Sequence, residues 1–189
     1  EIEPDLDAAR HDVGGAGATV DPGAGTSGIT SIWGGDATVI NYGEINTDGA
    51  DGIIMYSDDT ATVANYGSIY TYATTDGHNG IQVASVYDAS VTNGGDVVVA
   101  TNAGYDVTAV AVLSLDGYAS VDNQAGGTIA AATYGGDAVG IYVGADYGGS
   151  VNNDGDILAS SFTGSATGIE VFVIIGDSSV GNGGTIDAY

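Results

Sequence analysis

Val39-Ile40-Asn41-Tyr42-Gly43-Glu44-Ile45 is the stretch that decides the fold, because closely similar copies return five more times along the chain. The copies follow the pattern Val-x-Asn-x-Gly-x-Ile, and the fourth carries two extra residues between its Asn and its last Gly. The repeat asparagines are Asn41, Asn65, Asn93, Asn123, Asn153 and Asn182. Their positions increase in steps of 24, 28, 30, 30 and 29. A repeat of this length is typical of a solenoid, in which each copy stacks on the one before it.

A second short unit, Gly-Ile in most copies, lies between the asparagine units. It begins at Gly28, Gly52, Gly80, Ala109, Gly140 and Gly168. Two residues after its Ile or Val comes Ser31, Met55, Val83, Val112, Val143 or Val171, and the residue between is of mixed character. Such alternation predicts a strand with one buried face. The glycine density and the many β-branched residues exclude a helix.

The intervals between the two units predict the architecture. The Ile or Val of the Gly-Ile unit precedes the next repeat Val by a nearly constant interval, as from Ile29 to Val39. The Ile or Val that closes the asparagine unit precedes the next Gly-Ile unit by a variable one, shortest from Ile45 to Ile53 and longest from Val97 to Val110. We therefore predict an all-β fold, a single-stranded parallel β-helix (β-solenoid) of about six coils over residues 28–189. Residues 1–27 form a non-repeat N-terminal segment.

The asparagines are expected to be structural. Parallel neighbours about 4.8 Å apart place like residues on like. Each Asn amide can then donate to one neighbouring coil and accept from the other, as in the asparagine ladders of stacked β-structure. The Gly two residues later is expected to supply a positive φ at the corner.

Together the two units resemble the β-helical passenger repeats of bacterial autotransporters. Coils of that family typically read Val-x-Asn-x-Gly-x-Ile, then a stretch of small residues, then Gly-Ile-x-Val. The resemblance covers about residues 28–189. It implies a parallel β-helix that is secreted to the cell surface and often acts in adhesion.

Charge restricts the partners. The chain has 25 acidic residues against one basic residue, Arg10, and a formal net charge of −24. Such a surface repels nucleic acid and anionic lipid headgroups. No apolar run reaches the ~20 residues of a membrane helix, so no membrane insertion is expected. Cations, neutral glycans, other cell-surface components and copies of the same chain remain as partners. A chain that is 43% hydrophobic and holds 12 Tyr is not disordered.

The two ends differ from the repeats. Residues 1–27 are interpreted as a cap on the first coil or as a docking arm for a neighbouring subunit, with a short helix from Asp5 to Arg10 that has Pro4 in its first turn. The sequence begins at Glu1 without Met, which favours a processed form.

At the other end Ile186 and Tyr189 lie in a coil that nothing covers. Either a longer precursor continued, or the next subunit stacks here, and a head-to-tail contact that does not close makes a filament. The candidate self-assembly residues are Ile186, Tyr189 and Leu6.

Aspartates recur just before each repeat Val. They are Asp36, Asp59, Asp88, Asp116, Asp146 and Asp177. A second group precedes the Gly-Ile unit at Asp51, Asp76, Asp106 and Asp137. One interpretation is that each Asp stabilises a turn, because its side chain forms a hydrogen bond with the backbone a few residues away. The other is a Ca²⁺ site, since calcium takes clustered carboxylate oxygens. The first group are the candidate calcium ligands, and no other cofactor is indicated.

No catalytic residue is predicted. Lyase-type β-helix enzymes need Arg or Lys beside clustered acids, and the repeats contain neither. His78 is interpreted as a loop-tip residue. Exposed Tyr42, Tyr66 and Tyr142 are candidates for stacking on sugars or on a neighbouring fibre.

The sequence thus predicts a secreted structural subunit that stacks into an extracellular filament or matrix fibre. An autotransporter-like surface passenger acting as an adhesin is the alternative. A polysaccharide-active enzyme is the more distant one.

Overall fold

The computed structural model describes residues 27–73 and 77–189, together with the backbone of two short segments, 8–13 and 19–20. All of the regular structure in this part of the chain is β-strand. The strands are β1 (Ala8–Val13), β2 (Thr19–Val20), β3 (Ile29–Trp33), β4 (Asp36–Asn41), β5 (Glu44–Asp48), β6 (Ile53–Ser57), β7 (Ala61–Asn65), β8 (Ser68–Tyr72), β9 (Asn79–Ser85), β10 (Ala89–Asn93), β11 (Asp96–Thr101), β12 (Val107–Ser114), β13 (Tyr118–Asn123), β14 (Thr128–Thr133), β15 (Ala138–Ala145), β16 (Gly148–Asn153), β17 (Asp156–Ser161), β18 (Ala166–Val173), β19 (Asp177–Asn182) and β20 (Thr185–Ala188). No membrane-spanning helix occurs among these described residues.

The strands form three parallel sheets that the chain visits in turn. Sheet 1 contains β1, β4, β7, β10, β13, β16 and β19. Sheet 2 contains β2, β5, β8, β11, β14, β17 and β20, and sheet 3 contains β3, β6, β9, β12, β15 and β18. Each coil therefore takes one strand from every sheet, and β19 and β20 begin a further coil after the sixth. The predicted parallel β-solenoid of about six coils is confirmed.

The register places like residues on like. Val39 pairs with Val63 in sheet 1, Ile45 with Ile69 in sheet 2, and Ile53 with Ile81 in sheet 3. Because side chains alternate along a strand, each of these columns points into the coil, and its members in the middle of the molecule are buried. Burial of one such Val or Ile stabilises the fold by about 1.5–3 kcal/mol.

The two extra residues of the fourth repeat are absorbed in a local turn. The Gly127 amide donates to the Gln124 carbonyl at 2.8 Å, and Gly126 has a φ of 88°. Beyond the turn the register is restored, since the Thr128 amide donates to the Gly95 carbonyl of the preceding coil at 2.9 Å. The insertion bulges outward and leaves the core columns in place.

The repeat glycines are required for a different reason from the one predicted. Among the described residues only Gly49, Gly126 and Gly176 have a positive φ, so the expectation that the corner glycines supply one is wrong. A Cβ on Gly67 would overlap the carbonyl oxygen of Gly43, and one on Gly95 would overlap that of Gly67. Glycine is needed because the backbones of successive coils nearly touch at this corner.

The sheets extend past the predicted boundary at residue 28. Strand β1 pairs in parallel with β4, and β2 pairs with β5. The helix expected up to Arg10 is therefore wrong for Ala8–Arg10, which lie in β1. The repeat motif is absent from β1, where Val13 occupies the register of Asn41, so the sequence pattern gave no sign of this strand. Whether residues 1–27 act as a cap or as a docking arm stays a prediction, and Leu6 lies outside the described residues.

Candidate functional site

The six repeat asparagines form a hydrogen-bonded column at the corner between sheets 1 and 2. The Nδ2 of each Asn donates to the Oδ1 of the next at 2.7–2.8 Å, from Asn41 through to Asn182. The same amide also donates within its own turn, as from Asn93 to the Gly95 carbonyl at 2.9 Å. The first five side chains are fully buried. Their amide hydrogens are used inside the protein, so this column is scaffold and not a ligand site.

The candidate calcium ligands do not form one column. Asp177 is at the register of Gly148, and Gly148 is at the register of Tyr118, so two of these three coils have a neutral residue at this position. Asp36 and Asp88 instead bond the following coil. Asp36 Oδ1 accepts the Thr60 amide at 3.2 Å, and Asp88 Oδ1 accepts the Tyr118 amide at 2.9 Å. Each carboxylate thereby supplies an acceptor for an N–H at a corner, where the sheet ladder is interrupted.

The second group of aspartates makes the same kind of contact at the corner before sheet 3. Asp106 accepts the Asp137 amide at 2.8 Å, and Asp137 accepts the Ser165 amide at 2.7 Å. Asp76 lies outside the described residues. Within the described parts of the chain no three acidic or His side chains converge as a metal site would require. Calcium binding at these corners stays a prediction.

His78 is half-buried against an acid and does not stand at an exposed loop tip. Its Nδ1 is 3.6 Å from Asp51 Oδ1, and the same carboxylate oxygen accepts the Asn79 amide at 2.5 Å. The pair lies beside β9, at the corner before sheet 3. The absence of a catalytic residue likewise stays a prediction.

Hydroxyl side chains and tyrosines lie on the outside of the coils. Ser90 donates to the Thr62 hydroxyl at 3.2 Å on the outer face of sheet 1. Tyr42 and Tyr66 are exposed and stack with their ring centroids 5.4 Å apart and their planes 17° apart. Tyr142 is half-buried, so only two of the three tyrosines singled out from the sequence present a free ring.

The last coil exposes the columns that earlier coils bury. Val180 is 52% exposed, whereas its register partner Val151 is 2% exposed. Ile186 is 37% exposed, whereas Ile157 beneath it is fully buried. Tyr189 is exposed but is tied to sheet 2, since its amide donates to the Ala159 carbonyl at 3.1 Å. The candidate self-assembly residues Ile186 and Tyr189 therefore lie on one exposed edge.

Sheet 3 carries an apolar outer face that the sequence analysis missed. One outward column of this sheet is made mostly of apolar residues in register with one another. Its members are Ile32, Tyr56, Ala84, Leu113, Gly144 and Phe172. The signal was available, because these positions lie three residues after each Gly-Ile isoleucine or valine and so have outward parity. The prediction from sequence rested only on the outward residue directly after each Gly-Ile isoleucine or valine, and that column is of mixed character.

Three parallel sheets wound into successive coils define the chain as a parallel β-helix repeat protein. Residues 10–188 match the family model described as the BigA third pectate lyase-like domain. Because this match spans nearly the whole chain, the protein belongs to that family. No curated protein and no solved structure matches it. The family match agrees with the predicted β-helical repeat, and the finer resemblance to autotransporter passengers stays a prediction.

Proposed function

We propose that this chain is a structural β-solenoid of a bacterial surface protein and that copies of it stack head to tail into a filament or fibre. Domains of this family occur in bacterial surface proteins, which supports a location at the cell surface. The strongly acidic exterior is compatible with an extracellular setting and with neutral or cationic partners. Assembly into a filament is the more specific of the two parts of this proposal.

The in-register stacking of the coils is the observation that carries the proposal, because each coil packs on the next through columns of like residues. Val180 and Ile186 continue the core columns of sheets 1 and 2 into β19 and β20. A further β-solenoid coil would bury both columns, at about 1.5–3 kcal/mol for each side chain.

The opposite end supports a head-to-tail contact. Strands β1 and β2 are the first strands of the same two sheets and run parallel to β19 and β20. A contact between unlike ends does not close on itself and therefore propagates. Because Val13 stands at the asparagine register in β1, the ladder would not cross this junction. The junction is therefore expected to be weaker than the contact between internal coils.

Assembly can be tested on the 189-residue protein by sedimentation and electron microscopy at high salt, where repulsion between copies of charge −24 is screened. We expect rods that lengthen with concentration. Val180→Asp should abolish them, whereas Ser179→Asp, the adjacent outward position on the same strand, should not. Monomers alone at high concentration and high salt would refute the filament.

An adhesin is the second candidate. Two exposed features favour it, the stacked pair Tyr42 and Tyr66 and the apolar face of sheet 3. The two rings stack face to face, so a sugar ring can contact their exposed edges and hydroxyls or the outer face of Tyr42. If the pair binds neutral glycans, a glycan array probed with labelled protein should give signals that Tyr66→Ala removes and Tyr142→Ala retains. Equal signals from both variants would contradict the assignment of the pair.

We propose that the domain is not an enzyme, although the family is described as pectate lyase-like. The only Arg or Lys of the chain is Arg10, in the first strand, so no Arg or Lys side chain lies beside acids in the repeats. Incubation with polygalacturonate should release no unsaturated uronate, measured by its ultraviolet absorbance. Release that scales with protein concentration would contradict this.

A further inference from the structure

The outer face of sheet 3 contains a shallow apolar cleft of about 200 Å³. Ile32, Tyr56 and Leu115 form its walls, and Ala84 and Val86 form its floor. Ala84 follows Tyr56 in the outward column and precedes Leu113, so a small side chain between larger ones makes the notch. The cleft is therefore produced by the stacking of four successive coils.

The cleft is preformed and its apolar walls face solvent. Ile32 is 71% exposed and Leu115 is 67% exposed. Tyr56 is held in place, because Gln82 Nε2 donates to its hydroxyl at 3.1 Å. Contiguous exposed apolar side chains of this size mark interaction sites in soluble proteins. The fixed Tyr56 wall favours binding because little side-chain entropy is lost there when a partner docks.

The rim of the cleft is acidic on one side. Asp58 lines it, and Asp59 follows at the same corner, both exposed. Residues 27–73 and 77–189 contain no Lys or Arg that could neutralise them. The site thus combines an apolar notch with an uncompensated negative edge, and this combination selects among partners by charge.

We infer that this cleft binds a segment of another protein that presents one aromatic or branched aliphatic side chain next to Lys or Arg. The apolar anchor fills the notch between Tyr56 and Leu115, and the basic residue reaches Asp58. A second copy is a poor occupant, because residues 27–73 and 77–189 of this chain hold no Lys or Arg that could reach Asp58. The site lies on the side of the solenoid and is independent of stacking at its end.

The test uses the 189-residue protein with labelled Ile, Leu and Val methyl groups, followed by NMR. The probes are the peptide Gly-Arg-Phe-Gly, with acetyl and amide ends, and its Glu-Phe and Arg-Ala counterparts. We expect Arg-Phe to shift the methyl signals of Ile32, Val86 and Leu115 and to bind at least about threefold more tightly than Glu-Phe, a rim effect within the range of exposed ion pairs. Arg-Ala should give no saturable shift.

Matched variants locate the site. Leu115→Asp should abolish binding of Arg-Phe, and Leu158→Asp, the same change on the outer face of sheet 2, should leave it unchanged. Asp58→Asn should remove the preference for Arg over Glu. If Leu115→Asp fails to fold by circular dichroism, Ile32→Asp at the more exposed wall replaces it. The variants also separate this site from the filament, since Leu115→Asp should still assemble and Val180→Asp should still bind the peptide.

Three results would overturn the inference. The first is the absence of any methyl shift with Arg-Phe up to its solubility limit. The second is equal affinity for Arg-Phe and Glu-Phe. The third is broadening of the same methyl signals with protein concentration alone, which would make a second copy the occupant.

Discussion

The sixth coil and the last coil carry the same repeat but differ in what that repeat contributes. Val151 and Asn153 have a coil on each side and are buried, whereas Val180 and Asn182 have a coil on one side and are exposed. The residue types and the register are the same. The difference teaches that a repeat residue stabilises this fold through its two neighbours, as expected for a quasi-one-dimensional protein.

The core columns should show the largest difference between middle and end. Ile129→Ala removes a fully buried side chain between two coils and should lower the free energy of unfolding by about 4 kcal/mol. Ile186→Ala, at the exposed end of the same sheet, should cost about 1 kcal/mol. Urea unfolding of both variants measures the two values, and equal losses would contradict nearest-neighbour stability.

The asparagine ladder should show the next largest difference. Asn123→Ala leaves the Nδ2 of Asn93 and the Oδ1 of Asn153 without their ladder partners and should cost about 3 kcal/mol. Asn182→Ala disturbs only Asn153 at the exposed end and should cost about 1 kcal/mol. Amide hydrogen exchange adds a local measurement, because the middle variant should lose protection on both sides of the change. A loss confined to one side would argue against a continuous ladder.

The close approach at the corner gives a smaller contrast. Gly95→Ala sets a methyl group against the Gly67 backbone inside the stack and should cost about 2–3 kcal/mol. Gly184→Ala meets the Gly155 carbonyl equally closely, but its coil can move outward and should lose about 1 kcal/mol. Gly104→Ala is the control, since a Cβ there has nothing within 4 Å. Thermal unfolding ranks the three, and a large effect at Gly104 would point to a cause other than close approach.

Salt should produce the smallest effect and acts on all coils. Raising NaCl from 50 to 500 mM should increase Tm by about 2–4 °C, because screening weakens repulsion among the 25 acidic residues. Millimolar CaCl₂ at matched ionic strength tests the calcium prediction. A further rise that Asp36→Asn and Asp88→Asn remove would place calcium at these corners, and the same rise with NaCl alone would speak against it.

The sequence by itself determined the winding and the core. The regular return of the repeat, with constant Val and Asn positions and Ile or Val at the third, leaves parallel stacking as the arrangement that keeps one register through all copies. The two-residue alternation then decides which side chains are buried, because it is a property of the single strand. The asparagine column follows from the same register and needs no knowledge of the loops.

Only the tertiary structure decided which residues of different coils meet at the corners and on the outer faces. Asp36 accepts a hydrogen bond from Thr60 and does not meet another carboxylate. Gly67 must be glycine because the Gly43 backbone lies against it. Ile32 forms a cleft with Leu115, which lies three coils away. Loop lengths vary between coils, so these pairings cannot be counted from the repeat. They depend on distances between backbones, which the interior columns fix and the corner sequences do not.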